Sequence, residues 1–95
     1  MEELLKILGE LYSTEGNSEV DEYDGCQYFK TYDVRNRAEG LCNELLITNG
    51  GQCNWDNIYI LRSNGYRVFA GERDSFGWLT GCVQKNNDLR ILVYG

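Results

Sequence analysis

The spacing of apolar residues changes once along this chain, and that change limits the folds open to it. Up to about residue 63, apolar residues recur at the three- and four-residue intervals of amphipathic helices; over the last thirty residues they alternate with polar ones. Helical segments followed by a run of strands are typical of the α+β class. A chain of 95 residues holds one core, so we treat residues 1–95 as a single domain.

Three segments carry helix signals. Residues 2–13 place their leucines on one face and their charges on the other. The second helix is expected over 34–47, with Asp33 as its N-cap and a glycine pair just beyond its end. The segment 55–63 contains an Ile-Tyr-Ile-Leu run that would also suit a buried strand, but Asn54 is a good N-cap and an Asn-Gly pair follows. This punctuation at both ends favours a helix.

The last third of the chain predicts strands. Alternating residues indicate strands over Tyr66–Glu72, Trp78–Lys85 and Leu89–Tyr94, separated by turn-forming residues. A short fourth strand is indicated over 26–32, and the acidic stretch 14–25 is typical of a loop. We therefore expect two or three helices packed on one face of a C-terminal three-stranded antiparallel meander, with a fourth short strand as an addition.

Several kinds of site lack the residues they need. The chain has no histidine, and its four cysteines have neither Cys-x-x-Cys nor zinc-site spacing, so we expect no catalytic residue, no metal site, no cofactor and no enzyme activity. The glycines do not form a phosphate-binding loop, and the basic residues are scattered, which argues against direct nucleic-acid binding. Without a basic leader or a long apolar run, we expect a cytoplasmic protein with reduced thiols and no membrane contact.

Charge is distributed unevenly and marks a candidate partner-binding segment. Residues 1–33 hold nine acidic and two basic residues, whereas the remainder of the chain is nearly neutral. Within the acidic third, carboxylates can imitate phosphate oxygens, and tyrosine rings can imitate bases or fill a pocket. The predicted partner-binding residues are Glu19, Asp21, Glu22, Tyr23, Asp24, Tyr28 and Tyr32. The alternative is that these charges only keep a surface loop solvated.

The favoured function is a small acidic intracellular protein-binding module whose partner is a basic, nucleic-acid-binding protein. In its sharpest form, the protein is an inhibitor that mimics nucleic acid and occupies the basic groove of that partner. In size and charge the chain resembles small acidic phage-encoded anti-defence proteins, anti-CRISPR proteins included. The resemblance involves general character and no specific motif.

Two other functions stay open at this point. Both faces of the predicted meander carry apolar residues, so a homo-oligomeric structural or accessory domain could bury the second face against another copy. The apolar residues expected there are Phe69, Trp78, Leu92 and Tyr94. A thiol-dependent enzyme is a remote third possibility, because any such activity would need one unusually reactive cysteine.

Overall fold

The computed structural model describes residues 1–13, 20–23, 25–30, 33–48, 50, 52–73, 79–86 and 89–94, with the backbone alone at 23, 71–73, 79, 80 and 92–94. Three helices and five strands follow one another along these residues. In chain order they are α1 (Glu2–Ser13), β1 (Val20–Tyr23), β2 (Cys26–Phe29), α2 (Asp33–Leu46), α3 (Trp55–Ser63), β3 (Tyr66–Arg73), β4 (Leu79–Lys85) and β5 (Arg90–Tyr94).

The helices occupy the predicted segments because their end signals are local. The ambiguous segment is a helix, α3: the Asn54 side-chain oxygen accepts a hydrogen bond from the backbone N–H of Asn57 at 3.3 Å. At the other end, the backbone N–H of Asn64 donates to the carbonyls of the last helical turn, and Gly65 follows with a positive φ of 90°. Capping at both ends therefore settled the choice between helix and strand.

The strands form one mixed sheet in the order β1-β2-β5-β4-β3. The α+β class is confirmed, but the expected three-stranded meander with one extra strand is wrong in extent. Strands β3, β4 and β5 pair antiparallel, yet β5 also pairs in parallel with β2, and β1 and β2 form an antiparallel hairpin at the edge. The predicted loop over 14–25 is wrong at 20–23, which is strand β1. The hairpin of β1 and β2 thus extends the sheet to five strands.

One face of the sheet carries the main hydrophobic core. All three helices contribute fully buried side chains, and the sheet meets them with Phe29, Val68, Val83 and Ile91. The Tyr12 hydroxyl of α1 lies within hydrogen-bond distance of two sheet carbonyls, those of Val83 at 3.2 Å and Leu89 at 2.8 Å. The core therefore fixes α1 against β4 and the start of β5.

The opposite face carries a second, smaller cluster. Tyr28 and Cys82 are buried there, and Cys26 and Phe69 pack against them. Successive strand residues point to opposite faces, so these residues alternate with the core residues Phe29, Val68 and Val83 along their strands. No helical residue belongs to this cluster among the described residues, and we call this side of the sheet the helix-free face.

Candidate functional site

A row of side chains crosses the helix-free face from one edge of the sheet to the other. Arg67 of β3 lies opposite Gln84 of β4, which in turn lies opposite Arg90 of β5. Arg90 pairs with Tyr28 of β2, and Tyr28 lies opposite Asp21 of β1. Residues directly opposite each other share a face of the sheet. This cross-strand row therefore takes one residue from each strand. It places one arginine on each side of a glutamine.

Both arginines of the row lie over the same aromatic ring. The guanidinium carbon of Arg67 is 5.2 Å from the centroid of the Phe69 ring, and that of Arg90 is 4.7 Å from it. Cation–π attraction favours each guanidinium there, so two like charges lie beside one aromatic ring. Within the part of the chain that the structure describes, neither arginine has a carboxylate partner.

Arg90 is half-buried among groups that carry little negative charge at neutral pH. It donates a hydrogen bond from Nη1 to the Cys82 sulfur at 3.5 Å, and it is hydrogen-bonded to the Tyr28 side chain. Burial, followed by the neighbouring thiols of Cys82 and Cys26, raises the pKa of the Tyr28 phenol, which therefore stays protonated. Burial alone would lower the pKa of the Arg90 guanidinium, but Cys82, Cys26 and Tyr28 raise it. Arg90 is thus a permanent cation.

A cleft of about 400 Å³ opens at the end of the sheet where β2 and β5 begin. It is continuous with the cross-strand row, because Gln84 and Arg90 belong to both. Its lining residues include one acidic, one basic and two amide residues; they are Glu22, Gly25, Cys26, Gln27, Gln84, Leu89 and Arg90. This mixture of donors and acceptors suits a small polar molecule better than an apolar one.

The structure separates the residues that were predicted to bind a partner. Asp21 and Glu22 are exposed on β1, at the edge of the sheet. Tyr28 is only 7% exposed, so it packs in the second cluster instead of lying on the surface. The remaining predicted residues lie outside the described residues or have only their backbone described; they are Glu19, Tyr23, Asp24 and Tyr32. The partner-binding role of this segment stays a prediction.

The acidity of α1 is partly balanced by neighbouring bases. Glu3 and Glu10 line a groove between α1 and α2 together with Lys6 and Arg37. A partner approaching this groove meets both signs of charge, which weakens any long-range attraction.

Exposed apolar side chains lie on α3, and Val20 of β1 is exposed as well. Trp55 is 58% exposed, Tyr59 is 72% exposed and Ile60 is partly exposed. On the helix-free face, Phe69 is half-buried beneath the two arginines. Trp78, and the side chains of Leu92 and Tyr94, lie outside the described residues.

The four cysteines are thiols in distinct surroundings. Cys42 and Cys82 are buried, and Cys26 and Cys53 are half-buried. Burial, with a smaller contribution from the Glu39 carboxylate, raises the pKa of the Cys42 thiol to about 12.

The described residues contain no group of three or more side chains suited to a metal ion. None of their helices is long and apolar enough to cross a membrane.

Comparison with protein-family models, with curated proteins and with solved structures found no significant match. Function must therefore be inferred from the geometry of the described residues. The sequence indicated scattered bases, whereas the sheet brings Arg67, Gln84 and Arg90 into one row. The sequence did contain a local signal that these three residues share the face opposite the core, because each of them alternates with a buried core residue. Their alignment depended on the register between strands, which no single segment encodes.

Proposed function

We propose that this protein is a small protein-binding module that recognises a basic partner through the edge of the sheet formed by β1. The observation that supports this is the placement of Asp21 and Glu22, which are exposed on an edge strand paired residue by residue with β2. Strand β2 is anchored by Tyr28 and Phe29, each buried in one of the two clusters. The acidic pair is thus held in place before binding, which reduces the ordering entropy lost on association.

The chemistry of the edge selects the class of partner. Exposed carboxylates attract lysine and arginine side chains over a distance of several ångströms and accelerate encounter with a basic surface. The chain carries a net charge of −6, so the field of the whole molecule adds to that of the edge. A cytoplasmic protein with a basic nucleic-acid-binding groove is the natural partner, and occupying that groove would inhibit it by mimicry of phosphate charge.

The proposal is tested by capture with two charge-reversal variants. Asp21→Lys/Glu22→Lys reverses the edge, and Glu10→Lys/Glu44→Lys changes the net charge equally at exposed sites on α1 and α2. Each protein is immobilised, exposed to nuclease-treated lysate and eluted with rising salt. We expect a basic protein that is retained by the wild type and by the helix variant but not by the edge variant.

Two results would contradict the proposal. Equal retention on both variants would show that the β1 edge is not the contact. Loss from both variants would show that net charge, and not the edge, is responsible. The inhibitor form of the proposal is tested separately with the purified partner. A nucleic acid that competes for the same groove should displace the partner from this protein.

A second candidate function is self-association, and the exposed apolar side chains of α3 favour it. Trp55 and Tyr59 lie one helical turn apart, and burying them against another copy would remove apolar surface from water. Sedimentation velocity at low and high salt distinguishes this from the first proposal, because an apolar dimer persists in salt. Tyr59→Glu should convert such a dimer to a monomer, and a wild-type monomer at high concentration would eliminate this candidate.

A further inference from the structure

The geometry points to a binding site for a small phosphorylated ligand on the helix-free face, with Arg67 and Arg90 holding the phosphate beside Gln84. This inference does not rest on the partner contact proposed at the β1 edge, although Glu22 of that edge also lines the cleft. It depends on the cross-strand row, on the ring that gathers its two arginines and on the cleft that continues from it.

The first step is the charge that the row leaves uncompensated. Two guanidinium groups converge on the Phe69 ring, and the described residues supply no carboxylate partner for either. Bringing like charges together is unfavourable unless an anion joins them. Arg90 is also half-buried, so an anion that reaches it is screened less by water than one at an exposed arginine.

The second step is the match between the donors and a phosphate. Guanidinium groups present paired N–H donors that fit two oxygens of one phosphate, and Gln84 lies between the two arginines in the row. Arg67 and Arg90 lie about 9.6 Å apart across β4, but both long side chains reach the Phe69 ring, and there one phosphate can contact both guanidinium groups. A phosphate, with more oxygens and more charge than a carboxylate, satisfies two arginines better than a single carboxylate does.

The third step is the cleft, which indicates what else the ligand carries. Arg90 and Gln84 line it, and its volume of about 400 Å³ is enough for a sugar-sized group. Glu22 and Gln27 also line the cleft at the end of the sheet, although their strand positions alternate to the other face; Glu22 can accept a hydrogen bond and Gln27 can donate or accept one. These groups suit hydroxyl or amino substituents next to the phosphate, and they offer no aromatic platform on which a base would stack.

The fourth step distinguishes a small ligand from a nucleic acid. A polyanion would have to approach a molecule of net charge −6 and pass Asp21 at the end of the row. Nucleic-acid binding is driven by many phosphate contacts, and the described row offers two arginines. A single phosphate needs no more than that.

The test is a titration followed by the backbone amide resonances of the ¹⁵N-labelled protein at constant ionic strength. The probes are ribose 5-phosphate, inorganic phosphate, ribose and a short single-stranded oligodeoxynucleotide. We expect saturable shifts confined to β3, β4, β5 and the cleft for both phosphates and none for ribose. Ribose 5-phosphate should bind more tightly than inorganic phosphate, because only it reaches into the cleft.

Three variants assign the affinity to the row. Arg67→Gln and Arg90→Gln should each raise the Kd about tenfold, as expected for loss of a charge-assisted hydrogen bond. Arg37→Gln removes the same charge from the surface of α2 and should leave the Kd within about twofold, because surface charges act weakly at a distance. Arg67 is exposed, so its substitution leaves the packing intact even if that of Arg90 does not.

Three outcomes would overturn the inference. The first is the absence of saturable shifts with either phosphate. The second is an equal loss of affinity in Arg37→Gln, which would show that only net charge matters. The third is tighter binding of the oligodeoxynucleotide than of ribose 5-phosphate, which would replace the small ligand with a nucleic acid.

Discussion

Tyr12 joins the first helix to the middle of the sheet, and removal of its hydroxyl is a sensitive test of this fold. The hydroxyl lies 2.8 Å from the Leu89 carbonyl and 3.2 Å from the Val83 carbonyl, so its single proton is shared between two acceptors. The ring packs edge-on against Phe29 at 5.1 Å and lies 6.0 Å from the ring of Tyr66. Tyr12→Phe keeps these ring contacts and removes only the donor.

The size of the effect follows from what is left behind. A hydrogen bond of this kind contributes about 1 kcal/mol net to stability, and a partly buried carbonyl that is left without its donor adds to the loss. We therefore expect the free energy of unfolding to decrease by about 1 to 2 kcal/mol. In a domain of this size each kcal/mol lowers Tm by about 4 to 8 °C. Tyr12→Leu should be more damaging, since it also deletes the ring contacts with Phe29 and Tyr66.

Urea denaturation followed by far-UV circular dichroism measures the free energy of unfolding of Tyr12→Phe and Tyr12→Leu. Tyr59→Phe is the matched control, because Tyr59 is 72% exposed and the same hydroxyl is removed there into solvent. The control should change the free energy of unfolding by less than about 0.5 kcal/mol, as most exposed substitutions do. If Tyr12→Phe changes it no more than the control does, the hydroxyl does not hold α1 to the sheet.

Three further predictions concern the helices. Gly40→Ala should raise the free energy of unfolding by about 1 kcal/mol in the same denaturation assay, because Gly40 is exposed within α2 and an added Cβ would have no heavy atom outside its own helix turns within 4 Å. Asn54→Ala should lower it by about 1 kcal/mol through loss of the hydrogen bond to the Asn57 N–H, and Asn54→Asp should retain most of it. The pKa of the Cys42 thiol is raised to about 12 from 9.0 in the folded protein, so as pH rises the unfolded chain releases this proton first. The free energy of unfolding should therefore fall as pH rises from 9 towards 12. In the Cys42→Val variant, the free energy of unfolding should fall less steeply over that range.

The helices could be predicted from the sequence because the signals that define them lie within a few residues. Asn54 and Gly65 punctuate α3, and both act through contacts in adjacent turns. Strand β1 was missed for the opposite reason. Acidic residues disfavour strands, and Asp21 and Glu22 are in one only because β2 supplies a paired neighbour.

In the candidate sites, too, features set by local sequence could be predicted and features set by strand pairing could not. Exposure of Asp21 and Glu22 was foreseeable from their charge, whereas burial of Tyr28 was not, because it depends on the parallel pairing of β2 with β5. The alignment of Arg67 with Arg90 likewise needs two strand registers at once, that of β3 with β4 and that of β4 with β5. Pairings between distant segments are set by the whole fold, and local patterns do not specify them.

The parallel pairing of β2 with β5 also determines the order in which this molecule can assemble. Tyr28 and Arg90 come from opposite ends of the chain, and such distant contacts form late because long loops must close first. A two-stranded hairpin is marginally stable on its own in water, so β1 and β2 have no lasting support until β5 arrives. The acidic edge is therefore completed only when β2 pairs with β5, whereas Arg67, Gln84 and Arg90 are aligned by the pairings of β3, β4 and β5 alone; a chain that stalls before the β2–β5 pairing would display the arginines without the acidic edge.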